Sequence, residues 1–204
     1  MPAPSFWNTR YADATYVYGT APNDFLVEQQ ALLRSPVLSL AEGEGRNAVH
    51  LASLGLDVLG VDLSDVGLAK AERLAAARGV TIRTACVDLA TWVPPEAQFG
   101  SVVSIFAHLP SAVRARLYPL VERALVPGGV LVLEAYHERQ LARDTGGPRD
   151  PDLLLTADAV RAAFPHLEPL LLREVTREVR EGEGHTGEAD VVQFVGRRPA
   201  DGLR

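Results

Sequence analysis

Residues 37–54 impose the tightest constraint on the fold. Val37-Leu38-Ser39-Leu40 is a short apolar run. Ala41-Glu42-Gly43-Glu44-Gly45 follows as an acidic turn, and Val49, Leu51, Ala52 and Leu54 then recur at helical spacing. Strand, tight turn and helix in direct succession is the opening unit of an α/β sheet. Glycine lets the turn take backbone angles other residues avoid and lets main-chain amides approach a ligand. The helix start adds unpaired N–H groups. A lone Gly-x-Gly fits an ordinary turn as well as a ligand loop, so the rest of the chain must decide.

The remainder alternates in the same way. The residues predict a helix over 22–35, a strand over 37–40 and a helix over 46–54 closed by Gly55. A strand over 58–61 ends at Asp62. Ser64 is the expected N-cap of the next helix, with Leu63 and Leu68 at staple positions and Gly79 as its stop. A third strand over 80–87 ends at Asp88, and a fourth covers 99–106. Val113, Leu117, Leu120, Val121, Ala124 and Leu125 mark one face of a helix that Pro127-Gly128-Gly129 breaks. A strand over 130–135, a loop over 137–154, a helix over 156–164 capped by Thr156, and two long strands over 170–181 and 188–197 complete the series. The expectation is a single α/β domain over 1–204. Its core, 36–204, is a Rossmann-like, doubly wound, mostly parallel seven-stranded sheet with helices on both faces. A C-terminal hairpin adds one antiparallel edge strand, and residues 1–35 form an N-terminal helical segment.

Composition removes several function classes. The net charge of −6 gives no electrostatic footprint for nucleic acid, so none is expected as a partner. Apolar runs fall far below the roughly 20 residues of a membrane span. The first residues lack a basic stretch followed by an apolar core, so no export signal and a cytoplasmic location are expected. The single cysteine, Cys86, excludes an internal disulfide and fits a reducing compartment; its apolar context predicts a buried, inert thiol. Lys70 is the only lysine. It is expected on a helix face, and the arginine excess reads as compositional bias.

In open α/β sheets ligands bind beyond the carboxyl ends of the strands. Asp62 ends the second strand, about 20 residues beyond the glycine turn, where an acidic residue meets ribose hydroxyls. A carboxylate accepts from both O–H groups of a vicinal diol. The bland alternative is that Asp62 only begins the turn before Ser64. Asp88, after the third strand, is placed to accept from an exocyclic amine or to serve as a loop carboxylate.

Taken together, residues 37–52, Val61-Asp62-Leu63-Ser64, Cys86-Val87-Asp88-Leu89, residues 99–109 and Pro127-Gly128-Gly129 resemble the successive motifs of class I S-adenosylmethionine-dependent methyltransferases. Val191-Val192-Gln193-Phe194-Val195-Gly196 resembles their last antiparallel strand. Trp7-Asn8-Thr9-Arg10-Tyr11, Tyr18-Gly19 and Pro22-Asn23-Asp24-Phe25-Leu26 resemble the small tellurite-resistance and thiopurine-methyltransferase-like branch. The resemblance implies S-adenosylmethionine as cofactor, S-adenosylhomocysteine as product and a small-molecule acceptor. The turn from Ala41 through Glu42 and Gly43 to Gly45, with Asn47 at the helix start, would hold the methionine part. Asp62 would bind the ribose, with Leu63 beside it. Asp88 and Leu89 would flank the adenine. Phe106, Ala107 and His108 would line the sulfonium side, and Trp7 and Tyr11 would belong to a lid formed by the N-terminal segment.

Ser39 stands where the family has an acidic residue, Ala41 where it has its first glycine, and Gly100 where it commonly has another acid. Glu42 and Glu44 supply acidity instead, and either is placed to meet the cofactor's ammonium; Glu42 is preferred, with Glu44 expected to point to solvent. The implied reaction is direct displacement at a methyl with a neutral leaving group, which needs no metal. A thiolate or reduced chalcogen acceptor needs no base. For a protonated acceptor His108 is the candidate, its alternative being a packing or cofactor-contact residue. Glu134 and His137 are placed to face the acceptor or solvent, and His185 sits in the hairpin turn. A nicotinamide-dependent oxidoreductase also fits Gly43-x-Gly45-x-x-Ala48 followed by Asp62, but no catalytic Tyr-Lys pair accompanies it. A cofactor-binding protein without catalysis is the third class.

Overall fold

The computed structural model describes residues 4–182 and 185–200. In chain order the elements are helix α1 (Pro4–Arg10), helix α2 (Asp24–Gln29), strand β1 (Val37–Leu40), helix α3 (Arg46–Ser53), strand β2 (Val58–Asp62), helix α4 (Asp65–Ala77), strand β3 (Arg83–Cys86), strand β4 (Phe99–Ile105), helix α5 (Ser111–Ala124), strand β5 (Leu125–Tyr136), helix α6 (Ala157–Ala163), strand β6 (Glu168–Glu181) and strand β7 (His185–Arg197). The seven strands form one sheet in the order β3-β2-β1-β4-β5-β7-β6. All neighbours are parallel except β5–β7 and β6–β7. This is the expected Rossmann-like, doubly wound arrangement with one antiparallel strand. That strand, β7, lies between β5 and β6; it is β6 that forms the edge.

Burial follows from the covering of both faces. All four residues of β1 and all seven of β4 are buried, as continuous apolar runs in a covered parallel sheet should be. The alternation sends Val37 to one core with Phe25, Leu51 and Val103, and Leu38 to the other with Val102, Leu117 and Leu131. The strand order reverses between β1 and β4, so the carboxyl ends of β1, β2 and β4 open onto one crevice. Among the described residues no helix is long and apolar enough to cross a membrane.

Several boundaries differ from expectation. Helix α2 begins at Asp24 because Asn23 takes the cap, its Oδ1 accepting from Leu26 N at 2.9 Å, and residues 30–32 tighten into a 3-10 turn. Strand β3 is limited to four residues. Pro127-Gly128-Gly129 does not separate helix from strand: α5 runs directly into β5, and these residues form an irregularity inside it, where Gly128 N donates to Arg198 O at 2.9 Å. Gly100 also has a physical reason. A Cβ there would lie 2.7 Å from the carbonyl oxygens of both Arg34 and Ser35, so no larger residue fits without backbone movement. Cys86 is exposed, contrary to the buried thiol expected, because β3 is an edge strand. The side chain of His185 lies outside the described residues.

Candidate functional site

A cleft with about 920 Å³ of open space lies at the reversal of strand order. It is walled by Ala41, Glu42, Gly43 and Glu44 from the turn after β1, Arg46 and Asn47 at the start of α3, and Asp62 and Leu63 at the end of β2. Leu89, Ile105, Phe106, His108 and Leu109 form the opposite side, and Trp7, Tyr11, Tyr18 and Gly19 come across from the N-terminal segment.

The turn after β1 is built tightly. Ala41 adopts φ 49, the left-handed conformation that favours glycine, and Gly43 and Gly45 have φ 62 and 93. A Cβ on Gly45 would lie 2.5 Å from the Ala71 Cβ, so this glycine lets α3 approach α4 and does not line the cleft. Glu42 is buried, accepts from Ala48 N at 2.9 Å and takes the Ser39 hydroxyl. Burial raises its pKa, against the opposing hydrogen bonds from Ser39 and Ala48. Ser39 therefore occupies the family's acidic position as the donor that holds Glu42.

Glu44 is buried as well, contrary to the solvent-facing position expected. It pairs with Lys70 of α4 and accepts from Tyr18 N at 3.4 Å. Lys70 is likewise inside. Its Nζ donates to the carbonyls of Asp13 and Thr15 at 2.8 and 2.6 Å and lies 4.9 Å from the Tyr16 ring centroid. One lysine thus ties the N-terminal segment to the turn.

Asp62 is buried on the cleft wall, its Oδ2 accepting from Gly43 N at 2.9 Å and its Oδ1 from Ser64 N at 2.8 Å. Burial raises its pKa, and the backbone N–H groups of Ser64 and Gly43 oppose the rise. Asp88 is outside the lining. Its Oδ1 accepts from Ala90 N at 2.8 Å, which shapes the loop that carries Leu89 into the cleft.

After β4, Phe106 takes φ 50 while its N–H is held by Glu134 O at 2.8 Å. Such strain in a bulky residue is kept only where the surroundings over-determine it. Here it stacks Phe106 on Tyr136, with centroids 4.6 Å apart, and Tyr136 on His108 at 5.5 Å. Burial pushes the Tyr136 hydroxyl pKa up, and the Glu181 and Glu134 carboxylates add to that. Ala107 packs in the second core and does not line the cleft.

Glu134 and His137 do not line the cleft. Glu134 is fully buried, accepting from Asn23 Nδ2 at 2.6 Å, Gln193 Nε2 at 2.6 Å and Arg177 Nη2 at 2.7 Å. His137 is buried, its Nδ1 accepting from Arg139 N at 3.0 Å and its Nε2 3.3 Å from Glu174. Asn23 joins this network to the cleft, its N–H donating to Asn47 Oδ1 at 3.0 Å and its Nδ2 to Glu181 Oε1 at 2.7 Å. Arg46 Nη2 donates to Glu181 Oε2 at 2.7 Å.

Of the residues expected at the site, Trp7, Tyr11, Ala41, Glu42, Gly43, Asn47, Asp62, Leu63, Leu89, Phe106 and His108 meet in one cleft, whereas Gly45, Asp88 and Ala107 do not line it. Sequence reasoning missed Tyr18, Gly19, Arg46, Ile105 and Leu109 as lining residues and set Glu44 second to Glu42. Arg46 and Glu44 carried a signal, as charged residues in a turn at the end of a buried strand. Tyr18 and Gly19 carried none beyond the resemblance.

Residues 37–129 match the family model of a methyltransferase domain. That stretch, just under half of the chain, is thus similar to a methyltransferase domain. The chain is 26% identical over 131 residues to a 2-heptyl-1-hydroxyquinolin-4(1H)-one methyltransferase of Mycobacteroides abscessus, an alignment covering 61% of this chain. The chain spans only 58% of that curated relative's length. Its fold is shared with a protein solved in work on the conversion of a disulfide bond into a thioacetal group during echinomycin biosynthesis. The TM-score is 0.78 at 22% identity, covering 97% of this chain and 92% of that one. TehB from Haemophilus influenzae has the same fold, with a TM-score of 0.68 at 18% identity, covering 96% of this chain and 66% of that one. The family's cofactor is an amino-acid zwitterion joined to a nucleoside. Buried carboxylates and one arginine lining the cleft suit its charges.

Proposed function

We propose that the chain transfers a methyl group from S-adenosylmethionine to a small-molecule acceptor by in-line displacement, the acceptor atom being a thiol sulfur or a reduced chalcogen. The observation that carries this reading is Asp62: buried on the cleft wall, with each oxygen occupied by one backbone N–H and retaining acceptor capacity. That suits a ribose diol. The acidic turn beside it would repel a pyrophosphate, which disfavours a dinucleotide.

Leu63 and Leu89 supply apolar surface for the adenine, and Asp88 shapes the loop that presents Leu89. Glu42 gives the turn the negative charge an ammonium requires, since the Glu44 charge is already met by Lys70. Bound there, the cofactor supplies an electrophilic methyl with a neutral thioether as leaving group. The chain's share is positioning and exclusion of water, worth on the order of 7–11 kcal/mol for well-oriented reactants. Phe106 and His108 border the methyl side, and Trp7, Tyr11 and Tyr18 cover the cleft as a lid built from residues 1–35. His108 takes a proton only from an acceptor that arrives protonated. The curated relative's name, a quinolone methyltransferase, supports a small-molecule acceptor.

Calorimetric titration with S-adenosylmethionine, S-adenosylhomocysteine and NAD tests the cofactor. Binding of the first two and not the third is expected, and tight NAD binding with silence toward the others would overturn the reading. A methyl-transfer screen over thiols, chalcogen oxyanions and hydroxylated heteroaromatics tests the acceptor. Turnover confined to the last class would remove the sulfur and chalcogen assignment.

A further inference from the structure

The loop between β4 and α5, residues 106–110, brings Phe106, His108 and Leu109 to the cleft. Its two ends are held in different ways. At the start, Phe106 N donates to Glu134 O at 2.8 Å and the ring stacks on Tyr136. At the end stands Pro110, in the cap position of α5, with no polar side chain to offer the helix. The first N–H groups of α5 therefore need acceptors from elsewhere.

Asp152 supplies one from 41 residues away: Ser111 N donates to its Oδ2 at 3.0 Å. The Ser111 hydroxyl and N–H hold the Asp152 carboxyl below the usual carboxylate range, which keeps an anion at the positive end of the helix. Arg114 of α5 closes the arrangement. Its Nη1 donates to Leu109 O and to Asp152 O, the latter at 2.6 Å. Asp152 is itself set in place by Asp150, whose Oδ1 accepts from Asp152 N at 3.0 Å. Further along the same segment, Leu155 N donates to Tyr136 O at 3.0 Å. Segment 150–155 thus reaches the loop from two sides: at Leu109 through Arg114, and at His108 through Tyr136, on which the imidazole stacks. A helix cap alone would need only the carboxylate. The bond from Arg114 to Leu109 O also fixes the peptide that follows His108.

Resting on the cofactor reading above, we infer that Asp152 and Arg114 are positioning residues for methyl transfer: they clamp the loop 106–110 so that Phe106 and His108 face the methyl. Neither residue lines the cleft. Asp152 also lies beyond the matched family region, which ends at residue 129. A displacement of about 1 Å at a reacting centre can cost about 100-fold in rate, so a clamp remote from the cofactor can govern the chemistry.

The test uses S-adenosylmethionine carrying 13C in its methyl group, bound to the full chain and observed by NMR. The Phe106 and His108 rings should displace the bound methyl resonance from its position in the free ligand. In Asp152→Ala the resonance should return at least half-way to the free position, while S-adenosylhomocysteine affinity in calorimetry changes by less than about threefold. Asp152 is exposed, so this change removes no core contact. Arg114→Met should reproduce the effect. Asp152→Asn keeps an acceptor for Ser111 N and should keep the wild-type resonance. An unmoved resonance in both Asp152→Ala and Arg114→Met would overturn the positioning role and leave the cofactor reading intact. A return of the resonance matched by an equal loss of S-adenosylhomocysteine affinity would make the clamp a general support of the fold and overturn the role as well. Failure of the wild type to bind either ligand would overturn the cofactor reading, and the positioning role with it.

Discussion

Lys70 of α4 and Glu44 of the turn after β1 form an ion pair in which neither side chain is more than 3% exposed. The lysine's other donors go to Asp13 O and Thr15 O, so one ammonium joins the turn, the helix and the segment that covers the cleft. Removing one partner of a buried pair costs about 3–5 kcal/mol, because the other charge is left unpaired. Lys70→Met should therefore lose stability on that scale in denaturant titration. Adding Glu44→Gln should restore part of it. If the double variant is no more stable than Lys70→Met, Glu44 is not the charge that Lys70 neutralises.

Glu42 gives a pH prediction of definite sign. Burial raises its pKa above the usual 4.5. A carboxyl raised on folding contributes stability that is fully present below its unfolded value and is lost as pH rises through its folded value. At neutral pH the Glu42 carboxylate thus opposes folding. Glu42→Gln should raise the melting temperature of the ligand-free protein at pH 7, with the gain shrinking below pH 4.5. The amide can still accept from Ala48 N and donate to Ser39 Oγ. The same variant should bind S-adenosylhomocysteine more weakly, having lost a negative charge beside the ammonium. A melting temperature unchanged at both pH values would show that Glu42 is not held against its titration.

Local signals made most of the sheet legible. Continuous apolar runs marked β1, β2 and β4, and Ser64 and Thr156 capped where expected, accepting from Gly67 N at 3.0 Å and Ala159 N at 3.1 Å. What could not be read depended on partners distant in sequence. Lys70 looks like a solvent-facing residue until Asp13, Thr15 and Glu44 surround it. Gly100 looks like a missing acid until the carbonyls of Arg34 and Ser35 are seen against it. Glu181 carries no motif, and only the hairpin's length brings it to Arg46. The position of β7 inside the sheet is a matter of pairing, which alternation along one strand does not encode.

Asp62 separates a binding role from a turn role. Asp62→Asn keeps one acceptor oxygen but turns the other position into a donor, facing either Gly43 N or Ser64 N. Binding of S-adenosylhomocysteine should weaken by about 1–3 kcal/mol. Binding of an analogue lacking both ribose hydroxyls should change far less. Equal weakening for both ligands in calorimetry would leave Asp62 as a residue that only shapes the turn.

Gly67 sets helix propensity against packing. Ala in its place near the start of α4 would favour the helix by about 1 kcal/mol. The added methyl, however, would meet the Tyr11 ring at 2.9 Å and Gly43 O at 3.1 Å. Tyr11 is 5% exposed and has little room to move. Overpacking of this kind costs roughly 1–3 kcal/mol, so the clash should win and Gly67→Ala should destabilise. Because Tyr11 and Gly43 both line the cleft, ligand affinity should fall with stability. In a Tyr11→Ala background the ring is gone, and Gly67→Ala should then turn neutral or stabilising. Denaturant midpoints for the four proteins of this cycle decide the matter. If Gly67→Ala costs as much without the tyrosine as with it, the contact that excludes a side chain at position 67 is with the backbone of the turn and not with the Tyr11 ring.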